Sequence, residues 1–297
     1  MSRAEAATAW GRAGAEAARP LWTLGLLRSE LAITFRRWRT LALLGVLAAV
    51  PVLVGVAVRI ETRGGSPAAR GGGEGPAFIA QITNNGLFLV FTALAATLPV
   101  FLPLAVGVVA GDSIAGEANA GTLRYLLVAP AGRTRLLLTK YATVMAFCLV
   151  ATLVVAVSAL AVGALLFPLG DLTTISGTRI GFGEGLGRAL LIALVVAASL
   201  TGLAALGLFV STLTNSGIAA MATTVGLLIT VQILDQIPQL HAIQPYLFSH
   251  GWLSFADLMR EPVYWDDLVR NLELQALYAA VFGSAAWARF TTKDITA

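Results

Sequence analysis

The chain has 297 residues, 57% of them hydrophobic and only 12% charged, with a mean hydropathy of +0.81. Soluble domains carry about 25% charged residues, so this composition excludes an ordinary water-soluble fold and makes the bilayer the solvent. The net charge of +4 lies in scattered Arg, with no basic stripe interleaved with aromatics, which argues against nucleic acid as a partner and for the positive-inside pattern of a membrane protein.

Residues 1–20 mix Ala with Arg and Glu, and no apolar core begins before about Thr40. That is not the layout of a cleaved signal peptide; the first span is expected to serve as an uncleaved signal. In 20–39, Trp22, Leu24, Leu27, Leu31, Phe35 and Trp38 recur at roughly helical spacing among Arg28, Glu30, Arg36, Arg37 and Arg39. The pattern predicts an amphipathic helix lying in the membrane interface; the alternative is a plain extension of the first span.

A spanning helix needs about 20 mostly apolar residues. Six runs meet this: 40–58, 86–110, 141–167, 189–210, 217–234 and 268–287. The second is interrupted by Pro99 and Pro103, and the last carries Arg270 and Glu273 in its first turns. Strand-type alternation is absent, which argues against a barrel. The predicted fold class is an all-α integral membrane protein over 1–297, with an N-terminal interfacial helix and six transmembrane helices.

The connections differ in kind. Residues 61–76, ETRGGSPAARGGGEGP, read as a flexible Gly-rich linker. The GFGEGLG of 181–187 has alternating glycines, but no strand precedes it, so it is not a nucleotide loop. In 237–267, Pro238, Pro245 and Pro262 punctuate Tyr246, Phe248, Trp252, Phe255, Tyr264 and Trp265. Aromatics at that density mark a membrane–water boundary and predict an interfacial or re-entrant helical element over 246–260, on the outer side. With six spans both termini share one side. That side holds nearly twice as many Arg and Lys as the other, including Arg36, Arg37, Arg39, Arg133, Arg135 and Lys140. Both termini and the segment 111–140 are therefore predicted cytoplasmic.

Several chemistries are missing. No G-x-x-x-x-G-K-[ST] loop exists, and neither lysine, Lys140 or Lys293, has the required glycines before it, so the chain is not itself a P-loop ATPase. His241 and His250 are the only histidines, H-E-x-x-H is absent, and so is G-x-S-x-G. Cys148 makes no intrachain disulfide and reads as a small hydrophobe. No catalytic, cofactor-binding or metal residues are expected. Spans without mid-depth carboxylates or histidines argue against proton-coupled transport and for energy supplied by a partner. Gly202, Ala204, Ala205 and Gly207 permit close helix packing; generic apolar filler is the alternative.

The most informative stretch is 111–140, GDSIAGEANAGTLRYLLVAPAGRTRLLLTK. It is a charged island between apolar runs, carrying Asp112, Glu117, Arg124, Arg133, Arg135 and Lys140 and divided by Pro130. Asp112 is placed to cap a short helix over 113–118, which Gly121 breaks. Thr122 is placed to cap a second over 123–129, ending before Pro130, with Leu123, Leu126 and Leu127 on one side and Arg124 on another. A short amphipathic helix joined rigidly to two spans can transmit force from a soluble motor; an ordinary loop is the alternative.

The same stretch resembles the signature of ABC-2 type (type V) ABC transporter permeases: an acid at Asp112, then Glu117, Gly121-Thr122, Leu126-Leu127, Pro130, Arg133, the leucine run 136–138, and Lys140. The tail ARFTTKDITA, with Arg289, Phe290, Lys293, Asp294 and Ile295, is similar to that family's last-span ending. The layout of interfacial helix, six spans and an aromatic segment between spans five and six resembles the family along the whole chain. The Gly-rich linker after span one departs from it.

The resemblance implies a single permease domain of a bacterial cytoplasmic membrane, paired with a second permease copy or homologue and seated in membrane lipid. It implies a separate P-loop subunit that binds ATP and Mg, while this chain binds no cofactor. Residues 111–140 become the coupling segment, with Asp112, Glu117, Thr122, Arg124, Leu126, Leu127, Pro130 and Arg133 as its contact residues. Phe88, Phe91, Pro99, Tyr246 and Trp252 become candidates to line or gate the path. The expected substrate is amphipathic or hydrophobic. The alternatives are a maturation permease of the nitrous-oxide-reductase type, and a non-transport membrane scaffold or enzyme, the latter weakened by the missing catalytic groups.

Overall fold

The computed structural model describes residues 20–63, 77–121 and 132–292. The apolar runs fold as helices because a helix satisfies its own backbone, the requirement a bilayer imposes. α1 (Pro20–Arg36) and α2 (Trp38–Arg63) meet at a bend at Arg37. α3 (Ala77–Asn84), α4 (Phe88–Thr97) and α5 (Phe101–Asn119) lead to α6 (Arg133–Leu166). A two-residue antiparallel pair follows, β1 (Leu172–Thr173) with β2 (Arg179–Ile180), Leu172 opposite Ile180. Then come α7 (Phe182–Ser199), α8 (Thr201–Leu213) and α9 (Gly217–Asp235). Three 3-10 turns, Pro238–Leu240, Gln244–Tyr246 and Trp252–Met259, precede α10 (Asp266–Thr292).

Five stretches are long and apolar enough to cross a membrane: α2, α5, α6, α7 together with α8, and α9. α10 has 27 residues but opens on Asp266, Asp267, Arg270 and Glu273 and falls outside that group. Large apolar side chains point away from the protein along these helices, with Leu53, Ile60 and Ile218 each more than 60% exposed. Hydrocarbon is the solvent that tolerates such a surface.

Two of the predicted runs are not continuous helices. The run 86–110 breaks at Val100, between α4 and α5. Pro103 has no N–H to give the carbonyl four residues back, that of Pro99. The Gln232 amide on α9 donates to that carbonyl instead. The run 189–210 starts earlier, at Phe182, and breaks at Leu200. There α10 supplies the missing partners: Gln275 Oε1 accepts from Gly202 N (3.3 Å) and Asn271 Nδ2 donates to Ser199 Oγ (2.7 Å).

α6 packs against α1, α2 and α4 on one side of the bundle, while α5 packs against α8 and α9, and α8 against α10. The turn leading into α4 meets α6 at Gly86 and Gly163, where a Cβ on either would run into the other's backbone carbonyl. Gly111 approaches the Met221 backbone in the same way, and a Cβ there would lie 2.9 Å from Met221 Cα. Small residues therefore set two of the closest crossings.

Candidate functional site

The charged residues collect at the end of the bundle where α5 stops and α6 starts. α5 runs through Asp112 to Asn119, so Asp112 sits inside a helix and is not the cap the sequence suggests. The short helix expected over 113–118 is the last part of α5, because nothing before Gly121 breaks it. Gly121 then takes φ +69°, the left-handed conformation that ends helices and that glycine adopts without strain.

Lys140, near the start of α6, is the hub. Its Nζ donates to Glu30 Oε2 on α1 at 2.6 Å and to Glu117 Oε1 on α5. All three side chains are at least nine-tenths buried. Burying such ions costs several kcal/mol each, so the cluster persists only because each charge faces an opposite one at hydrogen-bond distance. Beside it, Asp112 Oδ2 accepts from Arg37 Nη1 (3.0 Å), at the α1–α2 bend, and from Arg39 Nη2 (3.1 Å), in the first turn of α2. Gly116 and Gly217 leave the space this carboxylate fills, since a Cβ at either would strike its oxygens. A small cavity lined by Glu30, Thr34, Arg37, Asp112, Lys140 and Thr143 lies between α1 and the bundle.

The same end carries three further ties. Ser211 Oγ on α8 accepts from Ile114 N and Ala115 N at 3.0 and 2.9 Å. Arg133 Nη1 donates to the Thr291 carbonyl at 2.7 Å, which places a cation at the last described turn of α10. Trp287 Nε1 donates to Thr134 Oγ1 at 2.9 Å. Both flanks of 122–131 are thus anchored to several helices at once.

Of the predicted contact residues, Asp112, Glu117 and Arg133 belong to this junction, with Asp112 and Glu117 turned into it. Thr122, Arg124, Leu126, Leu127 and Pro130 lie outside the described residues. Glu30, Arg37 and Arg39 join the site unforeseen. The available signal was a lone acid, Glu30, among arginines in 20–39, and it does not name its partner.

The five expected path residues are not gathered together. Phe88 and Phe91 stack edge-on within α4 at 6.0 Å. Pro99 marks the α4–α5 break. Trp252 is buried against Phe248 at 5.7 Å, while Tyr246 is mostly exposed and its carbonyl accepts from Tyr278 Oη at 2.9 Å. None of them lines the junction cavity.

At the opposite end the Trp252–Met259 turn is tied down by Arg188 on α7. Its Nη1 donates to the Leu258 carbonyl (3.2 Å), and its Nη2 pairs with Glu184 (2.8 Å) and Glu261 (2.5 Å). His250 Nδ1 lies 2.7 Å from Asp235 Oδ1. Among the described residues no three His, Cys, Asp or Glu cluster as metal ligands would.

No curated protein matches the chain. A family model described as a protein of unknown function, DUF2705, matches residues 75–296, from just before α3 to beyond the end of α10. The match takes in Asp112, Glu117, Arg133 and Lys140 but not α1. It covers well over half of the sequence, and the chain belongs to the DUF2705 family.

Proposed function

We propose that this chain is the transmembrane permease subunit of an ABC-2 type exporter. In this reading it works with a second permease and takes its energy from a separate P-loop ATPase that holds ATP and Mg. The observation that carries the reading is the junction: Lys140 with Glu30 and Glu117, and Asp112 with Arg37 and Arg39, tie α1 and α2 to α5 and α6, the two helices that flank 122–131. A push on that segment reaches four helices through ion pairs rather than through a slack loop. Rigid-body switching of packed helices needs such stiff connections. The signature residues in 111–140 support the same reading, and so does the missing phosphate loop.

In the proposed arrangement six spans cross a bacterial cytoplasmic membrane with both termini inside, α10 supplying the sixth. Residues 122–131 dock on the ATPase, and the aromatic segment before α10 caps the outer end. Uncharged helix faces suit an amphipathic or hydrophobic substrate. The test is a search for a lone P-loop ATPase gene next to this one and co-expression of its product with the full chain, followed by copurification and ATP hydrolysis in proteoliposomes. The complex should hydrolyse ATP and the chain alone should not. A neighbouring ATPase that does not bind the chain, or hydrolysis by rigorously purified chain, overturns the reading.

A further inference from the structure

A second cavity, of about 300 Å³, opens at the end of the bundle opposite the junction. One wall is a single face of α10, where Asp267, Arg270, Asn271 and Leu274 follow one another at helical spacing. The other wall is the irregular segment before it, through His250 and Ser254. The floor is fixed, because Asn271 donates to Ser199 and its Oδ1 accepts from Gln275 Nε2 at 3.3 Å.

Several polar groups around this space are unspent. Ser254 Oγ is buried without a hydrogen-bond partner among the described residues, an unfavourable state that a ligand or water relieves. Neither Arg270 nor Asp267 has an ion-pair partner among the described residues, although they stand three apart on one helix. The neutral imidazole of His250, donating from Nδ1 to the Asp235 carboxylate, leaves Nε2 as an acceptor. The pocket therefore offers a cation and a hydroxyl donor beside a carboxylate and an imidazole acceptor. Exposed Tyr246, Leu253, Tyr264 and Trp265 surround this segment. Such side chains settle at headgroup depth.

We propose that this pocket binds the headgroup of a phosphatidylethanolamine-type lipid. Its phosphate meets Arg270 and Ser254, and its primary ammonium meets Asp267 and His250. The volume suits a headgroup rather than one water, whose share is roughly 30 Å³. The inference rests on the chain being seated in a bilayer but not on any ATPase partner, so it can fail without touching the proposed transport role.

The experiment titrates the detergent-purified full chain with phosphatidylethanolamine, phosphatidylglycerol and phosphatidylcholine, read by native mass spectrometry. Phosphatidylethanolamine should bind about tenfold more tightly than phosphatidylcholine, whose quaternary nitrogen cannot donate. Arg270→Gln should weaken all three lipids, because each presents the phosphate. Asp267→Asn should weaken phosphatidylethanolamine alone. Both positions are exposed, and thermal unfolding of each variant checks that the fold is kept. Equal binding of the three lipids, or an Arg270→Gln variant that binds as wild type does, overturns the proposal. In a last arm free phosphoethanolamine replaces the lipid. Weak binding supports the lipid, and binding as tight as the diacyl form assigns the pocket to a soluble zwitterion and overturns the lipid source.

Discussion

Lys140 on α6 reaches Glu30 on α1 across 2.6 Å, although 110 residues separate them in the chain. The pair closes the N-terminal helix onto the bundle, and Glu117 on α5 shares the same ammonium. One cation thus holds two carboxylates from two helices, and its loss leaves two buried anions facing each other.

Lys140→Met should therefore destabilise the solubilised chain by about 3–5 kcal/mol, the usual effect of breaking a buried pair from one side. Adding Glu30→Gln should recover part of that loss, since it removes one stranded charge. Thermal unfolding in a fixed detergent reads both, with exposed Arg28→Ala as the control. A Lys140→Met variant that melts with the control would show that the cluster contributes nothing to the fold.

Arg188 plays the corresponding part at the other end, but half in water. Its carboxylate partners Glu184 and Glu261 are 56% and 42% exposed, so screening discounts both ion pairs. The bonds to the Leu258 and Arg260 carbonyls remain. Arg188→Ala should cost about 1–2 kcal/mol and loosen one region. Amide hydrogen exchange should speed up across 252–261 while 112–119 stays protected. Uniform acceleration, or none, would show that Arg188 does not hold the cap.

Much of the helical layout was legible because apolar runs of spanning length have few other solutions in a bilayer. The breaks were harder. Pro99 and Pro103 announced one, yet the end at Leu200 carries no proline and depends on Asn271 and Gln275 of α10, far off in sequence. Gly121 was legible as a stop because its conformation is local. Asp112 reads locally as a cap yet sits within α5, for the opposite reason. Its partners Arg37 and Arg39 lie more than 70 residues upstream, and their charges let an acid sit within a helix. Aromatic density marked 237–267, but which rings turn inward, as Trp252 does and Tyr246 does not, is set by the packing of Phe248 and Tyr278.

The orientation can be read chemically. Thr134 and Thr178 are both exposed and lie at opposite ends of α6 and its following loop, while native Cys148 is fully buried and gives little background. In intact cells Thr178→Cys should react with an impermeant maleimide. Thr134→Cys should react only after permeabilisation. The reverse pattern inverts the chain in the membrane and removes 122–131 from any cytoplasmic motor.

The proposed coupling role is tested best away from the ion cluster. Glu117→Ala is a mixed probe, since it strips Lys140 of one of two carboxylates and disturbs the fold together with any contact. Glu117→Gln keeps the shape and a hydrogen-bond acceptor, and should preserve partner binding while lowering stability. Leu126→Asp with Leu127→Asp lies in the segment expected to meet the ATPase. A carboxylate forced into an apolar contact costs roughly a few kcal/mol once desolvated, enough to lower affinity about 100-fold or more. Insertion and unfolding temperature of the chain alone should stay as in wild type. Copurification of the ATPase subunit and ATP-driven export of a fluorescent hydrophobic dye should both fall, beside an unchanged control, Arg70→Ala in the Gly-rich linker. If the double Asp variant keeps the partner and the coupling of the control, then 122–131 is an ordinary connection. The junction around Lys140 would then serve the fold alone.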